Sequence, residues 1–262
     1  MEQYQAAASN QSNAARGLTL SFAREQAKAI ERLPFTVKRV RSDEDMWKAV
    51  RVRHAAYARH IPAFAQTLTE PEASDYADGA VVLLAESKLD GSPMGSTRIR
   101  NNFYDPLSVE GSIVLPEWLQ HRRLAEVTRL SVNEGRVGQM VKVALLKACV
   151  SYCQENAIEW ALATGRAPID RQYERLLFVD LFANKAPVPL KHVGNIPHRV
   201  MAFEIDTIEE RWTKAKHPML DFFCRTHHPD IAISSKPDMG PASAARRSSI
   251  PVEMLMEELE LA

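Results

Sequence analysis

The stretch Glu126-Val127-Thr128-Arg129-Leu130-Ser131-Val132, followed by a Gly-bearing turn and a long amphipathic run, constrains this chain more than any other segment. Its apolar and β-branched residues give it the character of a sheet-interior strand, yet it carries an acid and a base. A charge inside a sheet costs several kcal/mol unless it is partnered or put to use. The stretch therefore reads as the floor of a site. Strict alternation puts Glu126 and Arg129 on opposite faces, so they share one pocket only if the strand bulges.

The rest of the chain supplies a frame for that strand. Residues 1–17 are rich in Ala, Gln, Asn and Ser and have too little apolar content to fold alone, so disorder is expected. Apolar spacing over 18–33 predicts an amphipathic helix ending at Pro34. A strand is expected over 35–40, then a helix opened by Ser42 and Asp43 and running through Trp47, Val50 and Tyr57. A long loop covers 60–78, a length that is often functional. Strands over 81–86 and 94–99 flank Asp90-Gly91, a hairpin signal. After a loop over 101–116 come the charged strand, a helix over 138–154, a strand over 160–164, a helix over 170–182 and a strand over 200–205. One domain spanning 18–232, with its core in 35–205, would be followed by a flexible linker and a short acidic helix within 233–262. This order implies a mixed sheet with helices on both faces.

Composition excludes some partners. The 33 basic and 33 acidic residues cancel, so global charge steers the protein toward neither nucleic acid nor a membrane surface, although peripheral membrane contact stays open. Cys149, Cys153 and Cys224 are too few for a disulfide framework, and no run is long and apolar enough for a membrane span, so a cytoplasmic protein is expected. His227-His228 lacks carboxylate or Cys spacing, and no metal is assigned.

Four motifs fall in order along the chain: Arg53 four residues before Tyr57, the acid pair Asp75 and Asp78, Arg98 closing Gly95-Ser96-Thr97-Arg98, and Glu126 three before Arg129. With its elements in this order the chain resembles the GNAT-type acyltransferase fold, and more closely its autoinducer-synthase-like branch. That branch includes acyl-homoserine-lactone synthases, long-chain N-acyl amino acid synthases and exosortase-associated acyltransferases. The resemblance implies a three-layer α-β-α sandwich around a mixed, mostly antiparallel twisted sheet whose central strands splay apart. Arg53, Tyr57, Asp75, Asp78, Arg98 and Arg129 would form one substrate-binding network. The homoserine-lactone branch usually carries a Trp where this chain has only Phe64, which counts against that substrate.

Acyl transfer to an amine needs a proton acceptor, an oriented thioester and donors for the oxyanion. Glu126, among apolar neighbours, should have a raised pKa and is the candidate base; anchoring Arg129 is its bland alternative. Tyr173 resembles the late-helix Tyr that protonates the departing thiolate, with Leu177 where the family has Gly; core packing explains Tyr173 equally well. Asn133-Glu134-Gly135-Arg136-Val137-Gly138 lies where acetyltransferases bind a pyrophosphate at a helix N-terminus. The glycine spacing is imperfect, which favours the phosphopantetheine of acyl carrier protein over coenzyme A as donor. Arg122, Arg123, Arg136, Lys142 and Lys147, with Gly138, are expected around the phosphopantetheine entrance and as a carrier landing surface; a solvated face also explains the cations. The expected activity is fatty acyl transfer from acyl carrier protein to the α-amine of an amino acid. Homoserine-lactone synthesis, coenzyme A-dependent acetylation and a non-catalytic lipid-binding module are the alternatives.

Overall fold

A computed structural model describes residues 28–234. The readings for 1–17, for the helix over 18–27 and for the segment beyond 234 lie outside the described residues. The C-terminal end of the expected 18–33 helix is extended instead: Ala29–Ile30 (β1) pairs in parallel with a later strand. The Glu31 N–H donates to the His227 carbonyl at 3.0 Å, and just beyond, Asp230 accepts from the Leu33 N–H at 2.8 Å and from Arg32 at 3.3 Å.

The hairpin strands come first, as expected. Phe35–Arg39 (β2) leads into Asp43–His60 (α1), where Ser42 Oγ accepts from Asp45 N–H at 3.2 Å. Acids in the first turn of α1 and Arg59 and His60 in the last complement the helix dipole. Pro62–Ala65 (α2) and two single 3₁₀ turns fill the expected long loop. Ala80–Ser87 (β3) and Pro93–Asn101 (β4) form the hairpin, with Gly91 at φ 69° in its turn.

The second half follows the alternating order with changes at its end. Leu124–Val132 (β5) is followed by Gly135–Glu155 (α3), Trp160–Gly165 (β6) and Ile169–Arg175 (α4). The helix expected over 170–182 is thus cut short, because Leu177 turns the chain at φ 65° and Val179–Asp180 (β7) joins the sheet. There Asp180, with Asp170 and Glu174, surrounds the Arg199 guanidinium at 2.6–3.0 Å. Val188–Leu190 (β8), Ile196–Glu204 (β9), Ile208–Ala215 (α5), Thr226–His227 (β10) and Ile231–Ala232 (β11) complete the described chain.

The main sheet runs β11-β2-β3-β4-β5-β6-β9-β7, with β8 added to β9. All its pairings are antiparallel except β11–β2 and β5–β6. Alternation along β4 shows the layers: Ser96 reaches the Ala49 carbonyl of α1, while a Cβ on neighbouring Gly95 would meet Val141 of α3 at 2.6 Å. The larger apolar core fills the α3 side, including Phe35, Leu83, Ile99, Leu145 and Phe203. Among the described residues, no helix is long and apolar enough to cross a membrane.

Two irregularities of β5 create the site. Arg98 pairs with Thr128 and Ser96 with Ser131, so Thr97 alone stands opposite both Arg129 and Leu130. This is a bulge, and Arg129 sits in it at φ 58°, a left-handed conformation unusual for a residue with a long side chain. On its other edge β5 pairs with β6 only from Leu124 to Val127, then runs on to Val132 while β6 stays with β9. The central strands therefore part.

Candidate active site

The bulge resolves the difficulty posed by alternation. It turns Arg129 to the α1 face, the side on which Arg98 Nε donates to Thr128 Oγ1 at 3.2 Å. Arg129 then grips Glu72 through Nε at 2.7 Å and Nη2 at 2.6 Å. Glu72 also accepts from Arg53 and Arg98, each at 3.1 Å. Asp75 accepts Arg53 through both oxygens at 2.8 and 2.9 Å, and Arg98 at 3.0 Å. Three guanidinium groups and two carboxylates thus form one buried network, with a net positive charge.

The second acid of this network is Glu72, not Asp78. Asp78 is exposed and lies outside it. The spacing of three read from the sequence is right but starts one step earlier. A 3₁₀ turn over Ala73–Asp75 is closed by the Asp75 carboxylate accepting Glu72 N–H at 2.9 Å, and this carries both acids inward. Burial works to raise both carboxyls. Hydrogen bonds and charge from Arg129, Arg98 and Arg53 on Glu72, and from Arg53 and Arg98 on Asp75, outweigh it and hold both below the usual range.

Where β5 leaves β6 there is a cavity of about 650 Å³. Arg129, Tyr57, His192, Lys142 and Tyr173 all border it. Arg129 is further ordered by the Phe64 ring at 5.2 Å and the Tyr57 ring at 5.9 Å. Arg53, Asp75 and Arg98 do not reach the cavity: Arg53 is fully buried, and these side chains brace Arg129 rather than meet a substrate.

Glu126 is also enclosed. Its Oε2 accepts Ser108 N–H at 2.8 Å, and its Oε1 has no hydrogen-bond partner among the described residues but lies 3.7 Å from His192 Nε2. Burial, only partly offset by the Ser108 and Val109 N–H groups, pushes its carboxyl up. Direct contact with a substrate in the cavity is therefore closed to it, and its neighbour His192, with a side chain 13% exposed, is among the residues lining the cavity. Burial first, then the charge of Arg129, pushes His192 down to about 4. The Tyr173 hydroxyl is raised by burial and stays protonated at neutral pH. Leu177 keeps the left-handed backbone, at φ 65°, that a Gly would adopt without strain.

The turn before α3 borders the cavity at Asn133, Glu134 and Gly135. Gly138 has a packing role there, since a Cβ would come within 1.7 Å of the Asn133 carbonyl oxygen. Arg136 is exposed and does not border the cavity. Lys142 does, with its Nζ 3.0 Å from Gln172 Oε1. Arg122 and Arg123 are misplaced in the sequence reading. They precede the far end of β5, about 30 Å of strand away from its splayed end, and are held by Glu159 at 2.9 Å. Lys147 is buried and donates to the Phe222 and Thr226 carbonyls, so it is no landing site. Besides Arg129 and Lys142, the cations at the cavity are Arg59, which donates to the Val132 carbonyl at 2.8 Å, and Arg166, which donates to the His60 carbonyl at 3.3 Å.

No protein-family model and no curated protein matches the chain. Among solved structures it is similar to FeeM, an N-acyl amino acid synthase from uncultured soil microbes, at a TM-score of 0.53 and 14% identity over 72% of this chain and 97% of that one. A coenzyme A-dependent acyl-homoserine lactone synthase solved with SAM and isopentyl-CoA gives 0.49 at 14% identity, over 74% and 93%. An acetyltransferase of the GNAT family from Staphylococcus aureus Mu50 gives 0.44 at 12% identity, over 65% and 99%. The parted β5 and β6 and the first of these likenesses decide the architecture. The chain has the GNAT-type acyltransferase fold.

Within this GNAT-type fold the sequence motifs locate the bulged strand and its arginines, and they miss Glu72, His192, Arg59 and Arg166. Glu72 carries a sequence signal in its spacing from Asp75. His192 carries none, because it reaches the site from the turn between β8 and β9, far along the chain from Glu126.

Proposed function

We propose that this protein is an N-acyltransferase that moves a medium- or long-chain fatty acyl group from the phosphopantetheine thioester of acyl carrier protein to the α-amine of an amino acid. The observation that carries the reading is the cavity in the cleft between β5 and β6, bordered at once by strand backbone, the start of α3 and the Arg129–His192–Tyr173 set. Backbone N–H groups of β5 beyond Val127, free of β6, offer donors to the thioester carbonyl and its developing oxyanion. The start of α3, with Arg59, Lys142 and Arg166 around it, suits the single phosphate of phosphopantetheine. Arg129 is buried, and among the described residues its Nη1 has no hydrogen-bond partner, which suits the carboxylate of an amino-acid acceptor.

The chemistry follows from these placements. The neutral amine attacks the thioester carbon, a proton is accepted at the Glu126–His192 end, and the Tyr173 hydroxyl gives its proton to the departing sulfur. The test is incubation of full-length protein with acyl carrier protein loaded with medium- and long-chain acyl groups and the twenty amino acids, with acyl-coenzyme A in parallel. Mass spectrometry should find N-acyl amino acids that depend on the carrier-bound donor. No amide product from either donor would refute acyl transfer, and product from coenzyme A alone would refute the carrier.

A further inference from the structure

Buried polar atoms are nearly always satisfied, so a concentration of unsatisfied ones marks a place shaped for something polar. Glu126 Oε1, both ring nitrogens of His192 and Arg129 Nη1 are four such atoms, and Arg129 Nη2 ties the set together by donating to the His192 carbonyl at 3.0 Å. We propose that His192 is the group that takes the proton from the acceptor amine, with Glu126 behind it as a positioning residue that balances the imidazolium charge. The proposal rests on the acyl-transfer reading above.

Access favours His192 over Glu126. His192 lines the cavity with its side chain 13% exposed, whereas the Glu126 carboxylate is fully enclosed. Both His192 ring nitrogens are turned inward, so the ring shift that engages Glu126 must also bring Nδ1 to the amine. With His192 Nε2 3.7 Å from Glu126 Oε1, a small ring shift makes a hydrogen bond from Nε2–H to the carboxylate, leaving Nδ1 as the acceptor. This repeats the division of labour in which an acid fixes the tautomer of a histidine base without itself taking the proton. His198 also borders the cavity, but its Nδ1 is engaged with the Ile196 carbonyl at 2.8 Å and its charged neighbours are Arg166 and Arg129. Among the described residues no carboxylate is paired with it.

The groups acting on His192 are Glu126 and Arg129 from β5, Arg98 from β4, Glu72 from the loop before β3 and His198 from β9. Burial first, then the arginines, keeps the ring neutral before reaction, and the Glu126 carboxylate opposes them once the ring is protonated. In the step itself, the amine nitrogen's electron pair forms the C–N bond and the C–S bond breaks. The amine proton goes to His192 Nδ1, the sulfur leaves with the Tyr173 proton, and His192 returns its proton to Tyr173 through solvent. The balance is thioester plus amine giving amide plus thiol.

The test uses full-length protein, the acyl-carrier donor and the acceptor on which the wild type turns over. His192→Gln should lower kcat about 100-fold or more with KM for the donor little changed, and imidazole should restore part of the rate. Glu126→Gln should lower kcat less and move the acidic limb of the kcat profile to lower pH, because the imidazolium loses its counter-charge. A merely structural Glu126 would leave that limb in place. His198→Gln should cost less than His192→Gln. The proposal is overturned by a His192→Gln enzyme within about threefold of wild type, by a larger deficit in His198→Gln, or by an unmoved limb in Glu126→Gln. If His192→Gln does not fold, the limb in Glu126→Gln decides alone. A wild type that makes no amide from any donor fails the acyl-transfer reading, and this proposal with it; turnover in the wild type separates the two.

Discussion

Replacing Glu72 with Gln tests which acids hold the site together. The substitution keeps the side-chain shape but removes the carboxylate that two nitrogens of Arg129 grip at 2.6 and 2.7 Å and that Arg53 and Arg98 reach at 3.1 Å. All three arginine side chains are nearly or fully enclosed, so water cannot replace the lost partner. Breaking a buried pair by removing one member costs about 3–5 kcal/mol. Glu72 is 20% exposed and Asp75 still serves two of the arginines, so about 2–4 kcal/mol is the reasonable range here. For a domain of this size about 3 kcal/mol corresponds to a Tm about 6–12 °C lower. Asp78→Asn, made in parallel, should change stability by less than about 0.5 kcal/mol, since Asp78 lies on the surface. Urea unfolding followed by circular dichroism, with calorimetry for Tm, measures both. A Glu72→Gln protein as stable as wild type, or an Asp78→Asn protein that loses as much, would refute the assignment of the buried pair to Glu72 and Asp75. The effect also has a sign with pH. Both carboxyls are lowered in the folded state, so their contribution is full above the unfolded carboxylate pKa and fades as pH falls through the folded values. The difference between wild type and Glu72→Gln should therefore shrink in acid.

The remaining predictions are of different kinds. Gly138→Ala should lose about 2–4 kcal/mol in urea unfolding and raise KM for the acyl donor, because the Cβ must displace the Asn133 carbonyl at the start of α3. Arg122→Ala combined with Arg123→Ala should leave donor KM within about twofold, whereas Arg59→Ala, Lys142→Ala and Arg166→Ala should each raise it, with an effect that weakens at high salt. His192 and His228 are pushed down by burial to about 4 and about 3, so between their unfolded value near 6.5 and those values the unfolded chain binds more protons. The two rings should therefore contribute stability that falls as pH drops from about 6.5 toward 5, against an opposite contribution from the raised Glu126 carboxyl, and His228→Gln should remove part of the rings' contribution. A His228→Gln protein whose urea midpoint follows pH between 7 and 5 just as the wild type's does would contradict the buried, neutral state of that ring.

Local signals carried the β2–β4 half of the fold and the helix α3. Ser42 before an acidic first turn, Asp90-Gly91 between two apolar runs and the periodicity after Gly135 each depend on neighbours along the chain, and the structure has the corresponding cap, hairpin and helix. Where a distant partner overrides local preference, the reading went astray. Ala29–Ile30 has helical spacing but is held extended beside β10, and the helix at Ile169 ends early because Arg199 draws Asp180 onto the sheet. The expected landing surface failed for a related reason. Arg122 and Arg123 are near Arg136 in sequence, but an extended strand puts them at opposite ends of β5.

For the opening pair, Glu126 and Arg129, sequence determined that a buried acid and base occupy one strand, and alternation determined that only a bulge lets them share a face. Those consequences follow from the side-chain period of the strand, which needs no tertiary information. That the bulge exists, that it faces Glu72 and not Asp78, and that His192 comes from a distant turn to lie beside Glu126 at the cavity wall were decided by tertiary structure. The physical reason is that each depends on the registry and closure of segments far apart in the chain. Burial and charge at such meeting points are set by what arrives from elsewhere.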